Sequence, residues 1–449
     1  MKAATGRKLL VLLVVGLLIA TSVGTVLAQQ EPVQLVSSSD ETVSPYLSLR
    51  HLSFSDGRFI DGAQINGPSK PPAGFEVQAP AGIESLPSAG VIKNFPSFSW
   101  VFGCSAVSGA MIAAYYDNKA YTNMYAGPSN NGKMPLTDTR WGTWTDGDET
   151  YPNNPLIASH KGVDGRTTKG SIDDYWVSYL SYTPDPFLTG GWAQHSWASS
   201  IGDFMKTSQY LYYNVDGSTS FYNYVDSHGQ PVADKLTCGD MAWYGIDKYD
   251  GTYGRKLFYE ARGYSVQTCY NQATDNRATG GYSLAEFKKS IDSCNPVMIN
   301  LAGHTVVGYG YGVGKTIYIR NTWDSNPSHI YTMEWGGDYY GMKMLSVSIV
   351  KLGPAVIPTP MKPSGEGKDA TPTYQWGKVN KAASYRFSVY AVGSNALKYT
   401  FVVPASACGA TCEKTPVKAL VPGDYMWQVQ AKVGGAWKSW SDFKYFSVE

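Results

Sequence analysis

Apolar residues between Trp100 and Tyr116 recur at helical spacing, with Val107, Met111, Ala114 and Tyr115 on one side, and the run opens on Gly103-Cys104. That period predicts an amphipathic helix with Cys104 in its first turn, entered through a tight glycine turn. Much later the pattern changes to strands. Val297–Leu301, Gly303–Gly312 and Thr316–Trp323 are β-type runs. The last two are joined by a glycine-rich turn, so an antiparallel hairpin is expected. A two-residue turn at Gly312-Val313 places His304 opposite Asn321, whereas a three-residue loop centred on Gly314 places it opposite Asp324. A second helix is expected between Ser283 and Ser293. Elsewhere the central region consists of short aromatic runs broken by turns such as Gly127-Pro128, Asn153-Asn154-Pro155 and Asp216-Gly217. Helices and strands mixed in this way predict an α+β fold.

The two ends of the chain read differently. Beyond residue 370 the period is two, as in Tyr385-x-Phe387-x-Val389 and Tyr425-x-Trp427-x-Val429, so residues 371–449 are expected to form an all-β immunoglobulin-like sandwich. Pro354, Pro358, Pro360 and Pro363 mark residues 354–370 as a stiff linker. At the start, Lys2, Arg7 and Lys8 precede an apolar run from Leu9 to Ala20, followed by Val26-Leu27-Ala28. Residues 1–28 therefore read as a secretory signal peptide. Residues 29–92 are polar and proline-rich, an extension or prosegment with enough apolar side chains (Leu47, Leu49, Leu52, Phe54, Phe59, Ile60) to dock on a groove. Residues 93–353 are left as the central domain.

Composition agrees with export. Charged residues make up 16% of the chain, against a usual ~25%, and tyrosine is heavily used, with 33 residues. Removing the signal takes away three basic residues and leaves a formal charge of −2. With no basic cluster among aromatics, nucleic acid is not an expected partner. No later stretch is apolar enough to span a bilayer, so the expected location is secreted or extracellular, with cell-surface association as its variant. Of the six cysteines, Cys408 and Cys412 are close enough for a local disulfide, and two of Cys238, Cys269 and Cys294 form the other, the pairing left open. Their spacing does not suit zinc. Asp146-Gly147-Asp148-Glu149 and Asp173-Asp174 lack the alternating ligands of a calcium loop and read as solvated turns. No metal and no cofactor is expected.

The candidate chemistry lies in Cys104 and His304. A thiol in the first turn of a helix is favoured as its anion by the unsatisfied amides and the helix dipole, which prepares a nucleophile; its structural reading is a buried cysteine at a helix end. A histidine on a Val-rich strand is commonly a packed residue. When an amide or carboxylate on the next strand holds one ring nitrogen, however, the other is free for a thiol.

The order Cys104, His304, Asn321, together with Trp-x-x-Gly-Cys at 100–104, Met111, Tyr115-Tyr116-Asp117 and Gly303-His304-x-Val306-Val307-Gly308-Tyr309-Gly310, resembles the papain-like cysteine peptidases. The likeness is greatest to the branch related to bacteriocin-leader-processing peptidases and covers roughly residues 93–350. It implies Cys104 as nucleophile, His304 as general base and acid, Asn321 as the orienting residue, Asp324 as the alternative third member, Trp323 as a shield over the His-Asn contact, and a peptide or protein as substrate. One position departs from the pattern: Phe98 stands where the family commonly carries an oxyanion-hole glutamine, leaving Asn94, Ser97 and Ser99 as substitute donors beside the Cys104 amide. The C-terminal unit resembles fibronectin type III modules, with Trp437 and Trp440 as candidates for contact with a surface polymer. The expected function is a secreted cysteine peptidase. The alternatives are a catalytically silent papain-like scaffold acting as a surface-binding protein or adhesin, and a transglutaminase-type acyl transferase that uses Asp324.

Overall fold

The structure, a computed structural model, describes residues 33–77, 90–119, 121, 124–125, 134–140, 143–146, 149–152, 154, 156–158, 200–215, 217–262, 264–353, 357–379, 381–409, 411–438, 440–441 and 443–449. The expected signal peptide, the Gly127-Pro128 turn and Asp173-Asp174 lie outside these residues.

β1 (Leu35–Ser44), β2 (Leu47–Phe54) and β3 (Phe59–Ile65) form an antiparallel meander. A short hairpin of β4 (Thr143–Asp146) and β5 (Glu149–Pro152) follows in the chain. Then β6 (Thr219–Val225) pairs with β3 from Phe59↔Val225 to Ile65↔Thr219, giving the order β1-β2-β3-β6. The segment read as an extension thus supplies three of this sheet's four strands. Side chains alternate between the faces of a strand. Leu52, Phe54, Ile60, Tyr222 and Tyr224 accordingly bury one face against Cys238 and Met241, and Leu47, Leu49, Ala63 and Val225 point the other way.

The central sheet comprises β7 (Leu236–Thr237), β8 (Val266–Ala273), β9 (Val297–Leu301), β10 (His304–Tyr311), β11 (Thr316–Arg320), β12 (Tyr331–Glu334), β13 (Asp338–Tyr339) and β14 (Met342–Leu352). Its order is β12-β11-β10-β9-β14-β8-β7, with β13 paired to β14. Helix α1 (Cys104–Asp117) packs between β10 and the short helix Ile201–Phe204, and all of its residues are buried. The sequence pattern indicated one buried face. The other closes because its small polar residues also turn inward: Ser105 Oγ lies 2.8 Å from Thr305 Oγ1, and Ser108 Oγ donates to Thr305 O. The helix expected between Ser283 and Ser293 spans Leu284–Asp292, started by a reciprocal Ser283–Glu286 capping box.

The C-terminal unit contains β15 (Pro360–Lys362), β16 (Gly365–Lys368), β17 (Tyr374–Gly377), β18 (Ala382–Ala391), β19 (Leu397–Pro404), β20 (Thr411–Lys414), β21 (Gly423–Val433), β22 (Ala436–Trp437) and β23 (Lys444–Val448). They form sandwich-like sheets, β15-β17-β20 and β16-β23-β21-β18-β19, around the fully buried Trp376 and Trp427. Two of these strands lie in the span expected to be linker. Pro360 is accommodated there because β15 is an edge strand, where a missing N–H is tolerated. Trp437 and Trp440, the candidates for surface contact, stack around Arg386, whose guanidinium carbon lies 4.5 and 5.5 Å from their ring centroids. Cys238 pairs with Cys269 and Cys408 with Cys412, while Cys104 and Cys294 are free. Among the described residues, no helix is long and apolar enough to cross a membrane.

Candidate active site

Cys104 is the first residue of α1, as its sequence position suggested. The turn before it requires glycine: Gly103 has φ 140°, and a Cβ there would lie 2.5 Å from the carbonyl oxygen of Gly217. Gly103 provides no side-chain cap, so the first amides of the helix remain beside the sulfur. The thiol is fully buried, with Ser105 Oγ 4.0 Å from Sγ.

His304 opens β10. Its Nε2 lies 2.8 Å from the backbone oxygen of Asn321. A carbonyl only accepts, so Nε2 carries the proton and Nδ1 presents a lone pair. Nδ1 is buried and has no hydrogen-bond partner among the described residues. Trp323 stacks on the imidazole, centroids 4.3 Å apart and planes within 9°.

The orienting group is therefore main chain. The Asn321 side chain is engaged elsewhere, its Nδ2 donating to Tyr339 Oη at 3.2 Å and its Oδ1 accepting from Trp323 N at 3.1 Å. Neither expected hairpin register is found. Pairing runs Tyr311↔Ile317 and Gly310↔Tyr318, slips at a bulge, and resumes at Gly308↔Ile319 and Val307↔Arg320. Extended outward, this register sets His304 beside Trp323, the residue that stacks on it. Thr322, between Asn321 and Trp323, has φ 67°. This conformation is strained for a β-branched residue, and it turns the chain directly after the carbonyl that holds the ring.

The N-terminal segment closes the site. A Cβ placed on Gly67 would lie 2.5 Å from Cys104 Sγ and 2.9 Å from His304 Nδ1, so those two atoms are at most about 5.4 Å apart, the sum of the two distances. Gly67 lies two residues beyond the end of β3 and occupies the point on which thiol and imidazole converge. Pro68 O accepts from Trp323 Nε1 at 2.9 Å, and Phe75 packs on Trp323, Tyr331 and Tyr340. The strap is anchored at its base by Asn66 N donating to Tyr46 O at 3.2 Å. Burial beneath it pushes the Cys104 thiol up to about 11 and the His304 imidazole down to about 4, the latter partly countered by the bond to Asn321. The expected low-pKa thiol is therefore not the state of this conformation. Desolvation outweighs the helix terminus, and the pair is neutral thiol and neutral imidazole.

The remaining candidates lie apart from this centre. Asp324 is committed to its own loop: Oδ2 lies 2.5 Å from His329 Nδ1 and accepts from Tyr331 Oη at 2.6 Å, while Oδ1 accepts from Asn326 N. Ser97 Oγ donates to Asp324 O, Ser99 N donates to Asp138, and Asn94 is exposed. Among the described residues, none of these three hydrogen-bonds to Cys104 or His304. Phe98 is fully buried in the main core. Sequence reasoning missed Gly67, Thr322 and Tyr339. Only Gly67 carried a signal, as the turn-forming middle of Asn66-Gly67-Pro68. Among the described residues, no group of three His, Cys, Asp or Glu is placed to hold a metal ion.

No family profile matches the chain, and no curated protein matches it. Among solved structures, it shows a likeness to the FN1–FN3 domains of chicken CNTN1, at 12% identity and a TM-score of 0.16. That alignment covers 34% of this chain and 66% of that one, just under two-thirds of its length. A superposition so loose carries no weight for function.

Proposed function

We propose that this chain is an exported papain-like cysteine peptidase, held latent by residues 66–75 of its own N-terminal segment. The observation that supports this reading is the convergence of Cys104 Sγ and His304 Nδ1 on a single backbone position, now filled by Gly67. With the strap displaced, the lone pair on Nδ1 takes the thiol proton and the sulfur attacks a peptide carbonyl carbon. The proton on Nδ1 then passes to the departing amine, leaving a thioester on Cys104. Water, deprotonated by Nδ1, cleaves the thioester and returns the thiol. Throughout, Nε2–H stays on Asn321 O, and Trp323 shields that bond from water. The Cys104 amide supplies one oxyanion donor, and Phe98 supplies none.

The burial of Phe98 favours the second reading, a silent scaffold. The acyl-transferase reading, which needs an acidic third member, loses support because Asp324 is engaged by His329, Tyr331 and Asn326. The test is hydrolysis of a mixed-peptide substrate by chain whose strap has been loosened by substitution at Gly67, with Cys104→Ala and His304→Ala as controls. Hydrolysis abolished by either control supports the peptidase. A reactive Cys104 without hydrolysis establishes the silent scaffold.

A further inference from the structure

A groove of about 270 Å³ lies between the N-terminal sheet and the edge of the central domain. One wall is the face of the β1-β2-β3-β6 sheet turned away from the Cys238 cluster, with Leu47, Leu49, Ala63 and Val225; the other includes Ala302 and Leu345. Most of the surface that lines it is aliphatic carbon, and its charged side chains left unpaired among the described residues are basic. Arg277 and Lys343, both exposed, line it without a salt bridge or side-chain hydrogen bond among the described residues. The acidic lining residue, Asp61, is already bonded to His51 Nδ1 at 2.9 Å. Asn223 also lines the groove, and its Oδ1 is buried without a hydrogen-bond partner among the described residues. A buried polar atom of that kind favours an occupant with a polar end over a purely apolar one.

We infer that this groove binds an aliphatic chain ending in a carboxylate, with the chain against the leucine-lined walls and the carboxylate between Arg277 and Lys343. The volume sets the length. At ~30 Å³ for each water displaced, 270 Å³ corresponds to roughly nine heavy atoms, which matches the alkyl carbons of decanoate with its carboxylate outside this volume, between the exposed Arg277 and Lys343, and not a long-chain lipid. Such a carboxylate comes from two sources, a free fatty acid or an N-acyl amino acid, and the Asn223 amide distinguishes them by pairing with the amide of the latter.

The experiment is titration calorimetry on the full chain with decanoate, octanoate, decanol and N-octanoylglycine. The inference predicts 1:1 binding of decanoate, weakened roughly 15-fold on shortening to octanoate and at least tenfold on replacing the carboxylate by the alcohol. Arg277→Glu with Lys343→Glu should weaken decanoate binding tenfold or more while leaving the melting temperature unchanged, since both side chains are exposed. Tighter binding of N-octanoylglycine than of octanoate, with the difference lost in Asn223→Ala, identifies the acylated amino acid as the source; equal binding identifies the fatty acid. Equal affinity for decanol and decanoate, several molecules bound per chain, or no response to the charge reversals would each overturn the site.

Discussion

Replacing Gly67 by alanine should release the strap, and the structure gives the size of the effect. The added methyl would sit 2.5 Å from Cys104 Sγ and 2.9 Å from His304 Nδ1, against an optimal non-bonded separation of ~3.5–4.0 Å. Overpacking of that kind costs ~1–3 kcal/mol. Gly67 also has φ 45°, a left-handed conformation that costs a residue with a Cβ ~1–2 kcal/mol. Together these penalise the closed state by roughly 2–5 kcal/mol, and at about 1.4 kcal/mol per decade the open population rises between ~30-fold and several thousand-fold. The assay is the second-order rate of Cys104 alkylation by iodoacetamide at neutral pH, with the modified residue identified by mass spectrometry. Gly74→Ala is the control: Gly74 lies in the same strap at φ 82°, but nothing is within 4 Å of its added methyl. It carries the backbone strain without the clash, so its effect should be clearly smaller. If Gly67→Ala alkylates no faster than the parent while melting cooperatively, the strap does not control access to the thiol. An equal effect in both variants would show that backbone strain, and not contact with the thiol and imidazole, was responsible.

In the strap-released chain, Trp323→Ala should lower turnover more than Asn321→Ala, because the backbone oxygen that holds His304 survives the latter; steady-state kinetics with the reverse ranking would return the orienting role to the Asn321 side chain. His304 is depressed from 6.5 to about 4 by burial, so the unfolded chain binds more protons between those values. The corresponding stability is present above about pH 6.5 and declines as pH falls towards about 4, by roughly 3 kcal/mol at ~1.4 kcal/mol per unit. Thermal melts across that window should show a drop that flattens in His304→Gln. Loop-closure entropy gives ~4 kcal/mol for Cys238–Cys269, 31 residues apart, and ~2 kcal/mol for Cys408–Cys412, four apart; removing the first bridge should lower the denaturant midpoint of its unit by more. Residues 357–449 enclose their own core around Trp376 and Trp427 and should unfold cooperatively when expressed alone, as read by calorimetry.

The sequence by itself determined the local elements. A helix starting at Cys104 after a glycine turn, strands through Val297–Leu301 and from His304 onward, a capped helix after Ser283 and the period-two strands beyond residue 370 all follow from spacing, because side-chain period and turn chemistry are properties of short stretches of chain. It also narrowed the cysteine pairing to two of three residues. Three-dimensional contact decided the rest. The bulge in the β10–β11 hairpin sets His304 beside Trp323, and no count along the chain reveals a bulge. The backbone carbonyl of Asn321, and not its amide, holds the imidazole because Thr322 reverses the chain there, and every residue has a carbonyl, so composition is silent about which one serves. The polar, proline-rich character of residues 29–92 was legible, but their fate was not. Three of their strands join a sheet completed by β6, more than 150 residues later, and only that pairing carries Gly67 to the thiol. The ionisation of Cys104 is the sharpest case: its place at a helix start favours the anion, and burial beneath a segment remote in sequence reverses the preference.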